Sequence, residues 1–176
     1  LDLEAVCVKF YDWHPVHDID LGEMAAAVAI GYDWMYHGLT PERRNLIEKG
    51  IYRKALSEAT WGFQSFNSPT GGYSLLADNH NVVTNGGITM LSLAFMDIYP
   101  EECAHLVSNA VRAVEHMLPS FAPDGAWFEG PHYWEYTMQY TSKMLSSMDT
   151  ALGTDFNLSL ADYISALRKR KCIHQY

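Results

Sequence analysis

The stretch LGEMAAAVAIGYDWMYHGLTPE, Leu21 to Glu42, decides the fold class. From Leu21 to Gly38 its apolar side chains recur at helical spacing, and Gly38 suits the left-handed position that closes a helix. Thr40, Pro41 and Glu42 then offer an N-cap, a first-turn proline and an early acid, so a second helix is expected from about Pro41 to Ala59. The short connection between the two implies an antiparallel pair.

Outward from this pair the same signals repeat. Ile88 to Ile98 reads as a buried helix ending before Pro100. Glu101 to Leu118 reads as an amphipathic helix stopped by Pro119, Glu135 to Leu152 resumes helical spacing, and a last helix is expected over Leu160 to Lys169. Between them lie two loops: NSPTGG at Asn67 to Gly72, and APDGAWFEGPHYW, whose prolines and glycines break the pattern. There is no hairpin or βαβ pattern and no repeat of fixed length. The expected fold is all-α, a single helical domain over residues 1–176 built of antiparallel helical hairpins, with function carried on its loops.

Composition narrows the functional classes. The chain has 176 residues, 48% hydrophobic and 13% aromatic, enough to bury a core as one domain. Its formal charge is -9, and the basic cluster RKRK at Arg168 to Lys171 stands alone, which argues against a nucleic-acid partner. Cys7, Cys103 and Cys172 are far apart and form no CxxC pair, so neither a zinc site nor a dense disulfide framework is signalled. The apolar run Met24 to Tyr36 is too short to span a membrane and contains Asp33, so no membrane span is expected. The opening LDLEAV, without an initiator Met or a signal-type segment, reads as a piece of a larger protein.

Three segments hold the residues that could carry chemistry. In ADNHNVVTNGG, Ala77 to Gly87, the neighbours Asn79, His80 and Asn81 read either as a turn with a helix cap or as hydrogen-bonding groups aimed at a ligand. In DGAWFEGPHYWEYTMQY, Asp124 to Tyr140, the phenols of Tyr133, Tyr136 and Tyr140 recur at spacings of three and four, one helix face. They form a packing stripe or a functional one, and the Gly-Pro loop before them puts Tyr133 at a loop mouth. In DWHPVHDIDLGE, Asp12 to Glu23, the spacing of His14 and His17 with Asp18, Asp20 and Glu23 beyond could recruit a metal. Pro15 disfavours the regular helix that would align them, and a solvated, helix-capping stretch is the preferred reading; no metal is expected.

In order, HDIDLGEMAAAVAIGYDWMY, NHNVVTNGG with its apolar helix, and DGAWFEGPHYWEYT resemble the heparinase II/III-like polysaccharide lyases and the related dermatan-sulfate epimerases, over roughly Trp13 to Thr137. The resemblance implies an incomplete α/α toroid whose loops line a cleft for an acidic, uronate-containing glycan. It implies β-elimination without a metal or organic cofactor, in a periplasmic or secreted protein. By motif position it puts Asn81 where the family binds the uronate carboxylate, His80 beside it, and Tyr133 where the family has its catalytic Tyr. Asn79, Trp127, Glu129, His132, Trp134 and Tyr136 fall around these as substrate-binding candidates. It also implies a further His and a C-terminal β-sandwich, neither of which these residues match, so turnover is expected to need further chain.

The chemistry suits the residue types. Removing the C5 proton of a uronate requires hydrogen bonds that strengthen as the enolate-like intermediate forms, which an amide or imidazole can donate. A Tyr serves as acid to the departing oxygen, and as base once its pKa is lowered. A C5-epimerase shares the abstraction and returns the proton. A hydrolase would need paired carboxylic groups, for which Asp124 and Glu129 are the candidates. A non-catalytic glycan-binding domain would use Trp127, Trp134 and Tyr136 as stacking platforms.

Overall fold

A computed structural model describes residues 2–14, 16–64 and 75–160. The expected Asn67 to Gly72 loop, the helix beyond Leu160, and Cys172 lie outside them. Among the described residues every regular element is helical: α1 (Asp2–Val8), α2 (Asp18–Met35), α3 (Pro41–Ile51), α4 (Ser57–Gln64), α5 (Asn79–Phe95), α6 (Pro100–Met117) and α7 (Pro131–Leu152). Three short 3₁₀ turns and a π-helical turn, Tyr52–Leu56, join or extend them. None of these helices is long and apolar enough to cross a membrane.

Helix α5 is the axis of the packing, flanked by α2, α6 and α7. Val82, Val83, Ile88, Leu91 and Phe95 are fully buried along it, each contributing about 1.5–3 kcal/mol by removal from water. Small residues set how closely its neighbours approach. A Cβ on Gly22 of α2 would lie 2.6 Å from the Cα of Thr84, and a Cβ on Gly87 would overlap the Gly22 carbonyl. The two backbones therefore touch, and the N-terminal turns of α2 and α5 are held side by side. On the other flank Gly86 meets the backbone of Tyr140 in α7. Helix α6 presents Cys103, Leu106, Val107, Ala110, Ala113, Val114 and Met117 to the core at three- and four-residue spacing.

Several expected boundaries move. Thr40 caps α3, its hydroxyl accepting the Arg43 N–H at 3.4 Å with Pro41 in the first turn, as the sequence suggests. Gly38 does not adopt a left-handed conformation; α2 ends instead in the 3₁₀ turn Tyr36–Gly38, closed by the Leu39 N–H on the Met35 and Tyr36 carbonyls. Helix α2 packs on α5 while α3 packs chiefly on α1, so the expected close α2–α3 pair is replaced by side-chain ties such as Tyr32 Oη to Glu48 Oε1 at 2.7 Å. The reason is the polarity of α3, which buries only Ile47, Gly50 and Ile51. Helix α5 starts at Asn79 rather than Ile88 because Asp78 caps it, and α7 starts at Pro131 rather than Glu135 because Gly130, at φ 96°, delivers the chain to a first-turn proline.

Candidate functional site

The N-terminal turns of α2 and α5 meet the loop before α7, and the conspicuous polar residues of the sequence gather there. The Asp78 carboxylate accepts the His80 N–H at 3.1 Å and closes the start of α5. Glu129, from the loop before α7, takes the next donors: the Asn79 N–H at 2.9 Å, Asn79 Nδ2 at 2.8 Å and Trp127 Nε1 at 2.9 Å. A carboxylate with three donors at the positive end of a helix is strongly held. Segments fifty residues apart are clasped by this one side chain.

On the α2 side, Asp18 spans two positions one turn apart on α5. His80 Nδ1 lies 3.0 Å from its Oδ1, and Thr84 donates to its Oδ2 at 3.0 Å. The His80 side chain is 32% exposed, and its Nε2 has no protein partner among the described residues. The His17 ring stands edge-on to it, centroids 5.9 Å apart. Asp20 in turn meets His14 Nδ1 at 2.7 Å and His17 Nδ1 at 3.0 Å. These bonds, His14 first, hold the Asp20 carboxyl below its ordinary pKa, and the same carboxylate raises His17.

The aromatic stripe of α7 climbs out of the core toward this corner. Tyr140 is buried, its phenol pushed up to about 12 mainly by that burial. Tyr136 is half-buried, stacks edge-on with Tyr140 at 5.5 Å and donates to Glu23 Oε1 at 2.7 Å. Burial first, then the Glu23 hydrogen bond, raises its pKa and keeps it protonated. Tyr133, one turn further out, is exposed with its ring near that of His132, centroids 5.8 Å apart. Beside Glu23 and Asp20 opens a cleft of about 590 Å³, walled also by Phe10, Asp12, Trp13 and Met24.

The candidates therefore divide. Asn79, Glu129 and Trp127 meet in one hydrogen-bonded clasp, and the neighbouring His80 is part-exposed. Asn81 turns the other way: it is fully buried, donates to the Leu76 carbonyl at 2.8 Å and the Ala113 carbonyl at 3.0 Å, and accepts from Asn85 Nδ2 at 3.1 Å. Its amide ties α5 to α6 and is not offered to a ligand. Trp127 is buried on Phe121, with centroids 4.5 Å apart, and Trp134 Nε1 donates to the Gly125 carbonyl at 3.0 Å. Both indoles fasten the loop rather than present a free platform. Asp124 accepts the Ala126 N–H at 3.1 Å, within its own turn.

The sequence reading did not single out Thr84 or the pairing of Glu23 with Tyr136. Thr84 was findable once α5 is extended back to Asn79, because His80 and Thr84 then share a face. No family model matches the chain, and no curated protein matches it.

Proposed function

We propose that the chain is part of a polysaccharide lyase domain that cleaves a uronate-containing glycan by β-elimination, its helices belonging to an incomplete α/α toroid. The observation that carries the reading is the clasp of Asn79 on Glu129. It joins the NHN and EGPHY segments at the start of one helix, where the His80 side chain is part-exposed and Tyr133 is exposed. Separate motifs build a site only by converging.

In this reading His80 acts as the imidazolium, its Nδ1–H on Asp18 and its Nε2–H donated to the uronate carboxylate, a bond that strengthens as charge builds on the enolate-like intermediate. Asn81 has no part in the contact; its work is to hold α5 against α6. Tyr133 is the exposed phenol at the loop mouth and serves as base at C5, then as acid to the departing oxygen. Tyr136 keeps its proton on Glu23 and positions that carboxylate. No organic cofactor enters, and the compartment implied is periplasmic or extracellular. Hydrolysis is the weaker alternative because Glu129, one of the two carboxylates it would need, is tied up by three donors. A C5-epimerase would use the same residues and return the proton.

The test is the natural protein against alginate, heparin and chondroitin, followed by ultraviolet absorbance of unsaturated uronate. Wild type is expected to produce it, with His80→Ala and Tyr133→Phe each slower by about 10²-fold or more. Deuterium entering C5 without unsaturated product would identify the epimerase. Saturated products, or full activity in both variants, would refute the reading.

A further inference from the structure

We infer that His14, His17 and Asp20 form a binding site for a divalent transition-metal ion, with the ligand preference of zinc, on the rim of the cleft. The donor atoms of the three side chains all lie within 4.8 Å of one another. Two of the separations are already short, His14 Nδ1 to Asp20 Oδ2 at 2.7 Å and His17 Nδ1 to Asp20 Oδ1 at 3.0 Å. Metal–ligand bonds of about 2.0–2.2 Å in a tetrahedral site place neighbouring donors roughly 3.4 Å apart. Taking up an ion therefore needs each imidazole to back away from the carboxylate by less than about an ångström. All three side chains are exposed, so rotation about their own bonds supplies this without repacking the core.

The backbone holds the three donors in register. The His17 N–H bonds the His14 carbonyl at 3.0 Å and the Asp20 N–H bonds the His17 carbonyl at 2.9 Å, so the ligands follow one another at intervals of three residues into the first turn of α2. The His14 N–H is anchored on Asp12 Oδ1 at 3.0 Å. This is the H-x-x-H spacing of the sequence with Asp20 as the third ligand. It is assembled by a turn rather than by the regular helix that Pro15 argues against.

The chemistry selects the ion. Two imidazoles and one carboxylate suit zinc, cobalt or nickel, whereas magnesium and calcium prefer oxygen. Each ring binds through Nδ1, whose proton on Asp20 is released to water or moved to Nε2, so that the coordinated imidazole is neutral with its proton on Nε2, and the carboxylate exchanges its imidazole hydrogen bonds for the metal. Three protein ligands leave at least one coordination position for water. Around the cluster Asp12, Asp18 and Glu23 add negative charge, which favours a cation there. His80 is not counted as a ligand, since the clustered donor atoms are those of His14, His17 and Asp20. The inference stands apart from the lyase reading and is tested without turnover.

Tag-free, metal-stripped protein is titrated with Co²⁺, and the bound Co²⁺ is then displaced with Zn²⁺. Expected are visible absorption bands of low-symmetry Co²⁺ that saturate at one equivalent, and their loss on adding Zn²⁺ but not Mg²⁺. His17→Ala and Asp20→Asn should each weaken binding by about tenfold or more, while His116→Ala, at an exposed histidine on α6, leaves it unchanged. Circular dichroism of every variant checks that the fold is kept. Absence of the bands at tenfold excess Co²⁺, equal competition by Mg²⁺, or unaltered binding in folded His17→Ala and Asp20→Asn would each overturn the site.

Discussion

Glu129→Ala is the substitution that should hurt the fold most for its modest burial. The side chain is only half-buried, yet it accepts the Asn79 N–H, Asn79 Nδ2 and Trp127 Nε1, and Asn79 and Trp127 are 2% and 6% exposed. Removing the carboxylate leaves three donors to find new partners, and a buried donor left unpaired costs about 1–3 kcal/mol. Water entering the vacated space re-pairs part of them, so the loss should be about 2–4 kcal/mol rather than the full sum. For a domain of this size that is a fall in Tm of roughly 5–15 °C. Glu129→Gln keeps the shape and one acceptor oxygen but turns an NH₂ toward the remaining donors, so it should fall between wild type and Glu129→Ala. Urea unfolding followed by tryptophan fluorescence measures both variants. A loss below about 0.5 kcal/mol for Glu129→Ala, the level of an ordinary surface change, would mean that the clasp does not hold the loop to α5.

Two further outcomes follow from burial. The Asp78 carboxyl has a raised pKa, chiefly from burial and then from Glu129 and Asp18 nearby, with His80 working in the opposite sense. Its ionised form therefore costs the native state stability above that pKa, and the cost disappears as pH falls and Asp78 protonates. Asn caps helices as well as Asp, so Asp78→Asn should raise the urea midpoint at neutral pH, with the gain shrinking in acid; an unchanged or lower neutral midpoint would count against this account. Cys7 and Cys103 are buried thiols pushed up to about 12, mainly by that burial. Peptide mapping after brief native alkylation should find both unmodified and both labelled after unfolding; comparable labelling in the native protein would contradict their burial.

Helices whose polarity follows their exposure were legible in the sequence. In α6 one face is apolar and the other charged, and its expected bounds, Glu101 to Leu118, differ from the observed ones by one residue at each end. Helix α5 is hard to read in the sequence because its first turn, Asn79 to Asn81, is polar and Thr84 and Asn85 interrupt the apolar run after Val82 and Val83. Asn81, Thr84 and Asn85 are buried there for reasons that periodicity cannot see: their partners are carbonyls of Leu76, Ala113 and Asn81 itself, and the Asp18 carboxylate. Gly86 and Gly87, which look like a turn, are interior because Tyr140 and Gly22 approach too closely for a side chain. For the same reason the sequence leaves Asn81 open between a structural and a ligand-binding role, and the structure puts it in the core. A buried amide bonded to backbone and an exposed amide bonded to substrate look identical until the neighbouring helix is known.

The carboxylates of this corner show what kind of surface it offers. Asp18 holds His80 and Thr84, Asp20 holds His14 and His17, Glu23 holds Tyr136, and Glu129 holds Asn79 and Trp127. Each acid thus orients a donor, and among these partners the groups that can carry positive charge are imidazoles. In the lyase reading proposed above, an acidic glycan would meet a corner rich in carboxylates, where Asp20 raises the pKa of the His17 ring and so favours its charged form. A dication on His14, His17 and Asp20 would supply that charge without a proton, but it would do so by taking His17 away from Asp20, the contact that raises the pKa of that ring. If the proposed glycan binds here, a metal ion and a protonated His17 are alternatives at one place, because a nitrogen that coordinates a metal cannot also carry the proton.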